Sequence, residues 1–90
     1  MYYEVFLNDE SLGVVGHPTV ANMHLSLSIS DDVPEIFASA VCREDGANYH
    51  YQWMQRRILP TDKVEFRLAS AGLSIPPEHK YKMNRSPEEQ

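Results

Sequence analysis

The sequence predicts a small, mainly β domain, an antiparallel sandwich or partly open barrel of five to six strands with at most one short helix. Two observations carry that expectation. Asn22-Met23-His24-Leu25-Ser26-Leu27-Ser28-Ile29-Ser30 places an apolar residue at every odd position and a polar one at every even position. Side chains alternate across a strand, so this spacing gives one apolar and one polar face, whereas a helix would scatter the four apolar residues around its surface. Val64, Phe66 and Leu68 repeat the pattern between Lys63, Glu65 and Arg67. On this reading Leu27 lies on a buried face, and Leu27→Asp is expected to unfold the domain.

The remaining elements follow in order. Tyr3, Val5 and Leu7 alternate over 3–7, and Asn8-Asp9-Glu10-Ser11 supplies turn residues that bond their own backbone. Leu12-Gly13-Val14-Val15-Gly16 is a weaker strand whose glycines allow a bulge or a close backbone approach. His17-Pro18-Thr19 breaks it. After Asp31-Asp32-Val33-Pro34, residues 35–44 satisfy two patterns. Asp32 and Glu35 have capping-box spacing, with Ile36, Phe37, Ala40 and Val41 on one helical face. As a strand, Ile36, Ala38, Ala40 and Cys42 share one side and Phe37, Ser39 and Val41 the other; the strand is preferred.

Glu44-Asp45-Gly46-Ala47 carries an Asp-Gly turn that closes a hairpin onto Tyr49-His50-Tyr51-Gln52-Trp53-Met54. Tyr49, Tyr51 and Trp53 share a face of that strand, with Trp53 assigned to the core. Pro60 marks a loop into the strand at 64–69. Periodicity ends at Ala71, so residues 1–70 are expected to form one domain. Residues 71–90, with Pro76-Pro77, are expected to form an extended, partly disordered tail. Tyr3–Leu7 and 64–69 are the expected sheet edges, open to a partner's strand or to a homodimer.

Composition narrows the function. Ninety residues bury only about 60–65% of the surface their unfolded chain exposes. No apolar run approaches the roughly 20 residues of a membrane-spanning helix, and the N-terminal segment lacks the pattern of a signal peptide. A single cysteine, Cys42, cannot make an internal disulfide, which fits a reducing, cytoplasmic setting. Formal charge is −5, and residues 1–70 carry all of it, because 71–90 balance three acids with three bases. That argues against nucleic acid, which needs clustered Lys and Arg, and for a basic protein partner. Asp31, Asp32, Glu35, Glu44 and Asp45 are the candidate contacts.

No catalytic constellation is visible, and no cofactor is expected. His17, His24, His50 and His79 lack the spacing of a zinc pair, although His24 and His50 are placed to meet across strands. Cys42 has an adjacent Arg43 but also Glu44 and Asp45, and is assigned as a buried thiol. Tyr49 and Tyr51 with Arg56 form the alternative site: aromatics beside a base suit a protein hot spot, or a ligand or single-stranded nucleic acid in an open barrel.

The segment Trp53…Ile58-Leu59-Pro60-Thr61-Asp62-Lys63-Val64-Glu65-Phe66-Arg67-Leu68 resembles a pattern of small bacterial β-rich proteins: an aromatic, a short gap, then Leu-x-x-Gly-Asp-x-Val before a closing strand. Thr61 stands where that pattern has Gly. Over residues 20–70 the chain is similar to immunity proteins of toxin–immunity pairs. The resemblance implies an inhibitor that neutralises a partner protein by binding it.

Overall fold

The computed structural model describes residues 1–70 and 74–83. Seven strands lie in chain order: β1 (Tyr2–Leu7), β2 (Glu10–Gly16), β3 (Val20–Ser30), β4 (Val33–Glu44), β5 (Ala47–Arg57), β6 (Val64–Ala69) and β7 (His79–Lys82). They form two antiparallel sheets, ordered β2-β1-β6 and β3-β4-β5-β7, that do not close into a barrel. The expected mainly β fold of antiparallel sheets is borne out, with seven strands rather than five to six and no helix among the described residues. Residues 35–44 are strand.

Three hairpins are closed by two-residue turns, at Asn8-Asp9, Asp31-Asp32 and Asp45-Gly46. All six residues have positive φ, between 50° and 77°. That is the type I′ geometry, whose twist matches the flanking strands and which Asn, Asp and Gly tolerate best. The acidic pairs at 31–32 and 45 are therefore turn formers first. Pro34 fits inside β4 for a related reason. Ser30 and Val33 close the turn as a hydrogen-bonded pair, so the next pair, Ile29 and Pro34, needs no N–H from Pro34 toward β3.

The core lies between the sheets. Ile36, Ala38, Ala40 and Cys42 of β4 are all at most 1% exposed, and Tyr51, Trp53 and Met54 of β5 are buried beside them. Val5 and Val15 close the layer from the three-stranded sheet. Small Ala38 sits opposite a bulge in β5: Ala38 pairs with Met54 and Ser39 with Gln52, leaving Trp53 as the extra residue. A second register shift falls in β2 opposite Val5 and Phe6. There Gly13 has φ of +122°, and a Cβ would stand 2.6 Å from Ile75 Cγ2, so this glycine allows both the bulge and the close approach.

Three expectations need correction. The first concerns the edges: β1 is the central strand of its sheet, bonded to β2 and β6, so Tyr3–Leu7 offers no free edge, although β6 does. Secondly, the chain beyond residue 70 is not a free tail over 74–83. Ile75 N–H donates to Val14 O at 2.8 Å, and β7 extends the four-stranded sheet against Tyr49–Gln52. The domain boundary at 70 is thus moved; the expected disorder at 84–90 falls outside the described residues. Finally, the apolar face of β3 is not wholly buried. Met23 and Leu25 are half-buried, but Leu27 is 54% and Ile29 73% exposed. Alternation correctly assigned the face, but no strand of the smaller sheet covers its far end.

Candidate functional site

The acidic candidates do not form one face. Asp31-Asp32 and Glu44-Asp45 occupy opposite ends of β4, a 12-residue strand, about 35–40 Å apart. Glu35 lies on the face of β4 that looks away from the core, where it meets Arg57 Nε at 3.6 Å and accepts from Gln55 Nε2 at 3.2 Å. Asp31, Asp32 and Asp45 are exposed.

Glu44 is the centre of a separate cluster between the sheets. Its carboxylate accepts hydrogen bonds from the Tyr51 hydroxyl and from Lys80 Nζ at 3.1 Å, and His17 Nε2 lies 3.2 Å from its Oε1. Thr19 N–H donates to His17 Nδ1, which makes that nitrogen the acceptor and leaves the proton on Nε2, facing Glu44. Lys80 Nζ also lies 5.1 and 5.0 Å from the ring centres of Tyr49 and Tyr51. The β2–β3 connection, the β4–β5 hairpin and β7 are thus tied at one point. Two donors and the nearby His17 ring already engage the Glu44 carboxylate, as suits a clasp rather than a base. No local pattern signals it: His17 reads as a strand breaker and Lys80 as tail.

The clasp has a pH signature. The Tyr51 hydroxyl and then Lys80 hold the Glu44 carboxyl below the ordinary carboxylate range. Burial, followed by the Glu44 carboxylate, pushes the Tyr51 phenol up, and hydrogen bonds to Tyr51 and Glu44 raise Lys80. A depressed acid stabilises the fold above its unfolded pKa, about 4.3, and that contribution is lost as pH falls through the folded value. The raised Tyr51 and Lys80 contribute fully below about pH 10 and lose that contribution as pH climbs through their folded values. Melting temperature against pH should therefore be level between the two limbs. Glu44→Gln should melt below wild type at neutral pH, and the two curves should converge as pH falls through the depressed folded value of Glu44. A constant gap at all pH values would show that the Glu44 charge is not what the clasp uses.

The aromatic alternative is not assembled. Trp53 is core, and Tyr51 is buried with its hydroxyl on Glu44. Arg56 lies about 17 Å further along β5, where it lines a shallow groove of about 280 Å³ with Leu12, Trp53, Met54 and Ile75. Nor do His24 and His50 meet: β4 runs between their strands, His24 faces Ser39, and His50 stacks on Tyr81 at 4.9 Å. Among the described residues no three His, Cys, Asp or Glu side chains are placed to hold a metal ion. Cys42 is fully buried, and burial, then Glu44, pushes its thiol pKa up.

The four sheet edges differ sharply. Ile75 covers part of β2. Charge guards β6, where Arg67 and Glu65 pair at 2.7 Å. Only four residues long, β7 carries Lys80 and Lys82. Short strands, charges and coverage are the usual means of keeping an edge from pairing. By contrast β3 has 11 residues and none of these protections, since no Asp, Glu, Lys or Arg occurs from Pro18 to Ser30. Its outward main-chain groups follow from the turn. Ser30 bonds toward β4, and so by alternation do Ser28, Ser26 and His24. Met23, Leu25, Leu27 and Ile29 therefore present their N–H and C=O groups to the open side.

Comparison with protein-family models, curated proteins and solved structures finds no match to this chain.

Proposed function

We propose that this chain is a small protein-binding module that works by strand addition at β3. The observation that carries the reading is the unguarded β3 edge, whose outward main-chain groups lie beside the exposed side chains of Leu27 and Ile29. An added strand would satisfy those groups and cover both side chains at once; main-chain bonds supply affinity and alternate side chains supply selectivity. Of the acidic candidates, Asp31 and Asp32 are exposed at the end of this edge and Asp45 is exposed at the β4–β5 turn, whereas Glu35 and Glu44 already have partners. Neutralising a partner by holding it, which the resemblance to immunity proteins implies, is one use of such an edge. A binding role is favoured over a catalytic one by the Glu44 clasp, whose groups are engaged with one another.

Leu27→Asp tests the reading. Its melt should stay cooperative and within about 1 kcal/mol of wild type, because the side chain is already half in water. A protein retained by the immobilised wild-type chain should be lost by this variant and by Ile29→Lys. Retention unchanged by both substitutions would place binding elsewhere, and loss of the cooperative melt would return Leu27 to the core.

A further inference from the structure

Resting on β3 as the binding edge, we infer that the strand it accepts is β3 of a second copy, paired antiparallel about a two-fold axis at Leu25. Faces must match across an antiparallel pair, so only registers joining odd positions to odd ones keep apolar opposite apolar. With Leu25 on the axis, Leu25 faces Leu25 of the second copy, and Met23 faces Leu27 on either side of it. The same register sets His24 against Ser26 and Asn22 against Ser28. The groups that meet at Met23, Leu25 and Leu27 are the outward-pointing ones, so about six ladder bonds form without moving either backbone. The register shift of β3 lies between Val20 and Asn22, outside this stretch.

Charge favours the same register. Two chains of formal charge −5 repel, but the strip they share is free of charged side chains. Beyond the register shift at Ala21, Asp31 of one copy comes to the same end of the shared edge as Thr19 of the other. Arg43 N–H bonds Thr19 O at 3.0 Å, which puts Arg43 one strand further in, about 10 Å from the Asp31 backbone. An Arg and an Asp side chain together span that gap. Arg43 is exposed and makes no ion pair among the described residues. The two-fold axis forms this contact twice, joining two four-stranded sheets into one of eight strands.

The interface is modest. An edge of 11 residues is about 36 Å long, and a strip some 10 Å across buries roughly 800 Å² over both copies, in the range of weak, reversible contacts. The dimer should thus populate over roughly 10 µM to 1 mM.

Sedimentation equilibrium of the full chain across that range, with amide exchange read by NMR, tests the inference. Dimerisation should rise with concentration and slow exchange at the Met23, Leu25 and Leu27 amides. Ile29→Lys, at a position 73% exposed and so neutral to folding, should raise the dissociation constant at least tenfold. Asp31→Asn with Asp32→Asn keeps the turn and should weaken the dimer at 50 mM salt more than at 500 mM. A monomer at 1 mM, or a dimer indifferent to Ile29→Lys, overturns self-pairing. If such a monomer still binds another protein that Leu27→Asp releases, β3 stands as the binding edge and the second copy alone is wrong.

Discussion

Trp53→Ala is expected to cost about 3–5 kcal/mol of unfolding free energy, measured by denaturant titration followed in the far ultraviolet. Trp53 is 2% exposed and heads the fully buried side chains by volume. It sits in the β5 bulge opposite Ala38, and its ring is tilted 38° against Tyr51 at 5.5 Å between centroids. Collapse cannot fill the space it leaves, because Ala38 and Ala40 on the neighbouring strand are small. A domain of this size has about the lower part of the usual 5–15 kcal/mol to lose, so the variant should be largely unfolded at 37 °C. A loss below about 1.5 kcal/mol would mean that the bulge relaxes and that the core is centred elsewhere.

Trp53 also marks the limit of what the sequence could reveal. Period-two spacing grouped Tyr49, Tyr51 and Trp53 on β5 and Ile36, Ala38, Ala40 and Cys42 on β4, and the two groups lie side by side on the core face of the four-stranded sheet. Turn chemistry was equally legible, since Asn-Asp, Asp-Asp and Asp-Gly each have a local reason to adopt positive φ. Which apolar face would be covered was not legible. Leu25 and Leu27 sit on the same apolar face of β3, yet Leu25 is half-buried and Leu27 is 54% exposed, because coverage depends on packing from residues distant in sequence. The ranking of edges was lost for the same reason: Tyr3–Leu7 becomes central only when the distant Val64–Ala69 pairs with it. The Glu44 clasp joins His17, Tyr51 and Lys80 across three elements, and no spacing rule connects them.

Ending the chain at Ser70 should cost about 3–5 kcal/mol relative to one ending at Met83, by the same titration. The sum has three parts. Ile75 packs on the core against Gly13, and uncovering it removes about 1–2 kcal/mol of apolar burial. Main-chain bonds from Ile75 to Val14, Glu78 to Gln52 and Met83 to Asn48, with the β7 ladder, add roughly 1 kcal/mol or less apiece. Loss of Lys80 leaves Glu44 with Tyr51 and His17 alone, so the acid limb of the melt should also shrink in the shorter chain. The two chains melting within about 1 kcal/mol of each other would restore residues 74–83 to the status of a tail. A second consequence separates β7 from mere added mass. Without Lys80 and Lys82 along its flank, Tyr49–Gln52 becomes an aromatic, uncharged edge on the side of the sheet opposite β3. A chain with two unguarded edges can propagate where one with a single edge can only pair. The truncated protein should therefore form open-ended aggregates, and Ile29→Lys, by closing the β3 edge, should reduce them to dimers or monomers.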